Sequence, residues 1–147
     1  MKKRVLFLCT SNRGRSQLAE ALVNHDMGDR FEAFSAGSAP KTPHPMALEA
    51  LAELGIDHFG ARSKHTSEFN GQTFDYVISL CNDADQTCPV FLGGERQVRM
   101  PFDDPDHEAD KPAAFRRVRD EIREQIEAYL TTEHQDEEID FKLELPE

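Results

Sequence analysis

The sequence predicts an α/β protein built on a parallel sheet, and two observations carry that expectation. Apolar, strand-like runs fall at Val5–Leu8, Phe31–Ala36, Tyr76–Leu80 and Val98–Met100, with helix-like patterns lying between them. Strands that alternate with helices imply a parallel sheet covered on both faces, with ligands bound beyond the carboxyl ends of the strands. Cys9 and Cys81 each directly follow a strand-like run, so both thiols are expected on that same edge.

Taken in order, Met1-Lys2-Lys3-Arg4 leads into Val5-Leu6-Phe7-Leu8. The apolar run is only about five residues long and has no small-residue cleavage site, so it reads as a first strand rather than a signal peptide. Ser16 to Asn24 follows as a helix and Phe31–Ala36 as a strand, and Ser35-Ala36-Gly37 is placed beside the preceding loop with Gly37 permitting the turn. Pro45 to Leu54 forms a second helix with Met46, Leu48, Leu51 and Leu54 on its apolar stripe and Gly55 as its stop. Pro112 to Leu130 forms a third, with Phe115, Val118, Ile122, Ile126 and Tyr129 facing one way. Residues 1–131 are read as a single domain, large enough for its own core. Residues 132–147 are read as an acidic tail in which Ile139–Leu145 alternates strictly, an added edge strand or a disordered end.

Charge and composition exclude several classes. The 28 acidic residues outnumber 17 basic ones, for a net charge of −11, which argues against nucleic-acid binding. Any anion pocket must then carry its own local positive charge. No apolar stretch approaches the roughly 18 to 20 residues needed to span a membrane, so a cytoplasmic location is expected. Three cysteines, Cys9, Cys81 and Cys88, make no disulfide framework and point to catalysis or redox work. They have no partner at zinc-ligand spacing, so no metal site is assigned to them. The six histidines show no ligand spacing either and are read as surface or loop residues.

The stretch Cys9-Thr10-Ser11-Asn12-Arg13-Gly14-Arg15-Ser16 turns a buried strand into a helix. Small and polar residues there allow backbone N–H groups to converge on an oxyanion, and the helix N-terminus adds partial positive charge. Arg15 supplies a planar fork matched to a tetrahedral oxyanion. The same field favours the reactive thiolate at Cys9. Thr10, Ser11, Asn12, Arg13, Gly14 and Arg15 are therefore the candidate oxyanion-binding residues. A buried scaffold cysteine is the alternative, and the strand before it and helix after it weigh against that.

Cys81 and Cys88 lie seven residues apart. In a helix their Cα atoms would be about 10 Å apart, whereas a disulfide tolerates about 7 Å. Either they are two unrelated thiols, or they bond and the segment loops out. Asp103 and Asp104 precede Pro105. They form a solvated charge pair, or Asp104 reaches the anion pocket as a general acid, which requires its pKa to be raised by burial or by the bound anion.

Val5–Glu20, Ser35-Ala36-Gly37, Leu80–Pro89 and Phe102–Pro105 together resemble the thioredoxin-coupled arsenate reductases built on the low-molecular-weight tyrosine phosphatase fold. The Cys9–Ser16 loop alone indicates the phosphatase superfamily; Cys81 and Cys88 select the reductase branch. The resemblance implies a three-layer sandwich with a central four-stranded parallel sheet flanked by helices. It implies Cys9 as nucleophile, Arg15 and Ser16 as its activators, Asn12 as loop support, Asp104 as acid, and Cys81 and Cys88 as relay thiols. The implied reaction converts arsenate to arsenite with no bound cofactor and with reduced thioredoxin as donor and partner; phosphate or sulfate would also fit the loop.

The chain departs from the pattern at Ser11, Arg13 and Gly14, where family loops often carry glycine, serine and cysteine. Arg13 either points outward or adds charge at the pocket mouth. Asn12, Glu20 and Ser35 match residues that form a potassium site in some members, and His65 nearby leaves that site open here. The alternative function is a phosphatase hydrolysing phosphomonoesters through a Cys9 phosphoenzyme. Asp106-His107-Glu108-Ala109, where such phosphatases commonly place tyrosines, weighs against it and leaves weak phosphatase activity expected. A non-enzymatic anion or redox sensor would leave Asp104 idle.

Overall fold

The computed structural model describes residues 2–82, 85 and 88–132 of the chain. Four strands, β1 (Lys3–Leu8), β2 (Phe31–Ala36), β3 (Phe74–Ser79) and β4 (Gly94–Arg99), form one sheet in the order β2-β1-β3-β4. Every pairing is parallel, with Leu6 opposite Phe34 on one side and Val77 on the other. The α-helices are α1 (Arg15–Asp26), α2 (Pro45–Ala52) and α3 (Lys111–Leu130). The expected α/β sandwich on a four-stranded parallel sheet is therefore present. Among the described residues no helix is long and apolar enough to cross a membrane.

One face of the sheet, with Val5, Phe7, Ala33 and Ile78, packs against α1, α2 and α3. The other face, with Leu6, Leu8, Ala36 and Val77, is covered by Phe69 of a short 3-10 helix (Thr66–Phe69) and by Phe91. The α3 stripe runs through Phe115, Val118, Ile122, Ile126 and Leu130, all buried at the three- and four-residue spacing of a helix face. Tyr129, assigned to that stripe from sequence, is only partly buried. In α2 the buried face is Ala47, Ala50 and Leu51, with Met46 and Leu54 packed at its margin. The helix ends at Ala52, and Gly55 takes the left-handed conformation (φ 79°) three residues later.

Strand β4 corrects the sequence reading most. It begins at Gly94, four residues before the expected start, because Glu95, Arg96 and Gln97 hide it from an apolar search. Among the described residues only β3 pairs with it, so as an edge strand of that sheet it tolerates polar side chains. Gly37 stands beside the loop, as expected. Its φ is not positive; a Cβ there would stand 2.5 Å from the Thr10 carbonyl oxygen and 2.7 Å from that of Cys9. The glycine lets the end of β2 lie against the loop after β1. The 132–147 tail, apart from Thr132, lies outside the described residues, as do Asp83, Ala84, Gln86 and Thr87.

Two carboxyls meet where α1 ends against α3. Burial and the neighbouring Asp26 push Glu127 up to about 8, and Glu127 Oε2 is buried without a hydrogen-bond partner among the described residues. Burial opposes the Asp26 charge, yet hydrogen bonds with Glu127, His25 and Arg123 hold it below its ordinary value. Arg123 grips Asp26 at 2.8 and 3.0 Å.

Gly37→Ala is expected to lower stability by about 1–3 kcal/mol, the usual cost of overpacking, whereas Gly60→Ala, with open space around it, stays within about 0.5 kcal/mol. Urea unfolding of both variants checks this. A second prediction concerns pH. Because Glu127 binds its proton more tightly folded than unfolded, its contribution to stability falls as pH rises from the ordinary carboxyl range through about 8. Glu127→Gln should therefore match the parent at pH 5 and exceed it in urea midpoint at pH 9.

Candidate active site

The loop between β1 and α1 is held from all sides. Cys9 N–H donates to the Ala36 carbonyl at 3.3 Å, and Ala39 N–H donates to that of Thr10. Asn12 has φ 49°, a left-handed conformation that asparagine tolerates better than most residues. Its side chain is fully buried and spends both ends: Nδ2 donates to Ser16 Oγ at 2.7 Å, and Oδ1 accepts from Lys64 N–H at 2.8 Å. Ser16 Oγ lies 2.8 Å from Cys9 Sγ. With Asn12 donating to that oxygen, the Ser16 hydroxyl hydrogen is directed at the sulfur. Cys9 is a free, buried thiol at the floor of a pocket.

Arg15 opens α1 and is only 3% exposed. Its Nη1 and Nη2 donate to the two carboxylate oxygens of Asp85 at 2.8 and 2.9 Å, and Nη1 also reaches the carbonyls of Phe102 and Leu80. Asp104 Oδ2 stands 3.7 Å from Nη2. Burial opposes the Arg15 charge, but Asp85, Cys9 and Asp104 more than offset it and raise its pKa above the ordinary value. Burial likewise works against the Asp85 carboxylate, and the Arg15 guanidinium prevails and holds it below the ordinary range.

Cys81 and Cys88 are joined in a disulfide with Cα atoms 6.0 Å apart. Of the two alternatives left open by their spacing, the bonded one is present, and the segment is looped rather than helical at both cysteines. Asp85 sits between them, so the segment that carries the disulfide also carries the carboxylate that fills the Arg15 fork.

The pocket is lined by Cys9, Ser11, Arg13, Gly14, Arg15 and Asp104. Every one of these was a sequence candidate. Thr10, Asn12 and Ser16 are not on its wall; Thr10 Oγ1 reaches Asp85 at 3.4 Å, and the other two brace the loop. Arg13 does stand at the pocket mouth, paired with Asp106 at 2.9 Å. His44, Asp106 and Phe115 complete the wall.

His44 and His58 lie in loops, as expected, but neither is an exposed surface residue. His44 is buried, accepts the Met46 N–H at the start of α2 and packs its ring, tilted by 40°, 4.5 Å from that of Phe115. His58 bonds Gln17 Oε1 at 2.8 Å, and burial pushes its imidazole below the ordinary value against the pull of Glu20. Sequence reasoning missed Asp85, His44, Asp106 and Phe115. Only Asp85, placed between two cysteines opposite a buried arginine, left a usable trace: an arginine in such a loop needs a carboxylate when no anion is present.

Around Glu20, Ser35 Oγ donates to Oε1 at 2.7 Å and Lys64 Nζ lies 3.6 Å from the same oxygen. The chain thus supplies its own ammonium to the carboxylate, and the Asn12 amide is already committed. This donor set does not fit a resident potassium ion.

The family model described as low molecular weight phosphotyrosine protein phosphatase matches residues 4–140. An arsenate reductase 2 of Staphylococcus epidermidis is 40% identical over 135 residues, covering 88% of this chain and 98% of that protein. A solved structure of an arsenate reductase in the phosphate binding state superposes with a TM-score of 0.76 at 32% identity, covering 88% of this chain and 96% of the other. The thioredoxin-dependent arsenate reductase of Corynebacterium glutamicum superposes at 0.63 and 32% identity, over 89% of this chain and 64% of that longer one.

Because Asp85 fills the guanidinium fork, Asp85→Asn in the disulfide-bonded protein should bind inorganic phosphate about tenfold more tightly, a gain of ~1.4 kcal/mol. Calorimetric titration reads this directly; unchanged or weaker binding would contradict the competition.

Proposed function

The chain belongs to the low molecular weight phosphotyrosine protein phosphatase family, and on that premise we propose that it is an arsenate reductase regenerated by thioredoxin. The observation that carries the reading is the Cys81–Cys88 disulfide standing on the same sheet edge as the free Cys9. A phosphatase needs only the Cys9 loop and an acid; it has no use for a second thiol pair beside them. Relatives named arsenate reductase align over nearly their full length.

In this reading Cys9 thiolate, facing the Ser16 hydroxyl, attacks the arsenic of bound arsenate. Asp104 protonates the departing hydroxide, which leaves as water. Cys81 thiolate then attacks Cys9 Sγ. The sulfur–arsenic bond breaks, its electron pair stays on arsenic, and arsenic(V) departs as arsenite. Cys88 attacks Cys81 Sγ and releases Cys9 as thiolate, leaving the Cys81–Cys88 disulfide. Two thiols have been oxidised for one arsenic reduced. The dithiol of thioredoxin reduces that disulfide and returns the starting state.

Arg15 binds the oxyanion once Asp85 withdraws, and the loop from Thr10 to Gly14 completes the cradle. Phe115 is 1% exposed and offers no open aromatic face for an aryl group, which supports inorganic arsenate as substrate and leaves ester hydrolysis weak. A thiol relay of this kind operates in a reducing compartment, which supports a cytoplasmic location.

Cys88→Ser should abolish arsenate-dependent NADPH oxidation coupled through thioredoxin and its reductase, with a loss of at least 100-fold (about 2.7 kcal/mol). It should still release one arsenite per protein in a single turnover. Full turnover by the variant would remove Cys88 from the relay, and an inactive parent with brisk aryl phosphate hydrolysis would refute the reductase reading.

A further inference from the structure

The side chains of Arg13, His44 and Asp106 have no role in the steps above, in which Arg13 lends only its place in the loop, yet they meet at the wall of the pocket that holds Cys9. Asp106 Oδ2 accepts from Arg13 Nη1 and Oδ1 from His44 Nε2, both at 2.9 Å. The His44 tautomer follows from its other nitrogen. Nδ1 accepts the Met46 N–H at 3.1 Å, so the proton of the neutral ring is on Nε2 and is donated to Asp106. The backbone N–H of His44 donates to the Arg13 carbonyl at 2.9 Å. A closed ring of contacts therefore ties the anion loop, the start of α2 and the segment after β4.

That third segment carries Asp104. Its Oδ1 accepts the backbone N–H of Asp106 at 3.0 Å, and Oδ2 stands 3.7 Å from both Arg15 Nη2 and the exposed His107 Nε2. Anchoring the Asp106 side chain steadies the backbone N–H to which the Asp104 carboxyl is bonded. Both partners of the Arg13–Asp106 pair are partly exposed, at 27% and 36%, so as an ion pair alone it adds little stability. Its value is geometric: two donors from different elements hold one carboxylate in one orientation, and a proton donor misplaced by an ångström loses much of its effect.

We propose that Arg13, His44 and Asp106 form a clamp that positions Asp104 over the anion loop. These are positioning residues; the clamp rests on the reading of Asp104 as the acid. Loss of the clamp leaves the anion-binding groups in place, so it lowers kcat with little change in KM. Removing Asp106 also frees the Arg13 charge at the mouth, which works against any rise in KM for an anion.

The test compares Asp106→Ala, Arg13→Ala and the double variant in thioredoxin-coupled arsenate turnover. The expected result is a kcat lowered about tenfold in Asp106→Ala, a modest part of the 10²–10⁴ that a general acid supplies, with KM within about threefold. The double variant should lose no more than the more impaired single variant, because both remove one bridge. The same proteins are assayed on phenyl phosphate, whose leaving group needs a proton, and on 2,4-dinitrophenyl phosphate, whose leaving group does not. The clamp predicts that Asp106→Ala slows the first at least tenfold more than the second. Equal slowing of both esters, or a raised KM for arsenate at unchanged kcat, would overturn it. A parent that cleaves the esters but does not reduce arsenate refutes the reductase reading while the ester ratio still decides the clamp. A parent inert to the esters leaves the decision to the arsenate kcat and KM, and one inert to both overturns both.

Discussion

A buried positive charge organises this molecule. Arg15 is 3% exposed, and a guanidinium removed from water must be met by carboxylates or carbonyls. Its partners come from well-separated parts of the chain: Leu80 and Asp85 beyond β3, Phe102 and Asp104 beyond β4. The arginine itself opens α1 directly after the Cys9 loop. Satisfying one charge therefore draws the nucleophile, the disulfide-bearing segment and the candidate acid to a single sheet edge. The parallel order β2-β1-β3-β4 places the ends of β1 and β3 side by side there, as open α/β sheets do for their ligands.

The same interaction bears on anion binding. In the disulfide-bonded form Asp85 occupies both outer nitrogens of Arg15, so a tetrahedral oxyanion must compete with a carboxylate on the chain itself. The chemistry proposed for Cys9 needs that fork open at the start of a cycle and does not need it after arsenite leaves. The segment that carries the disulfide also carries the competing carboxylate. The pair at the pocket mouth, Arg13 with Asp106, does a separate job at a place where family loops carry a smaller residue.

Much of this was legible in the sequence because the decisive signals are local. Cys9, Asn12, Arg15 and Ser16 fall within eight residues between a strand and a helix, and α3 shows its buried face in the spacing of Phe115, Val118, Ile122 and Ile126. What escaped was long-range. Strand β4 is polar because it lies at an edge, so an apolar search finds only its last residues. His44 and Asp106 are 62 positions apart, and no local pattern says that they meet. Gly37 is legible as a neighbour of the loop, but the backbone-to-backbone approach that excludes a Cβ there is a long-range fact. Asp85 was readable only in hindsight, as the charge that a buried arginine requires.

The central claim is that Cys9, Cys81 and Cys88 pass one pair of electrons to arsenic. Mass spectrometry of fully reduced protein after one equivalent of arsenate, without thioredoxin, tests it most directly. The account predicts one arsenite per chain, a loss of two hydrogens, and a peptide pair joined through Cys81 and Cys88 with Cys9 again free. Arsenite release without that disulfide, or three unchanged thiols beside intact arsenate, would contradict it.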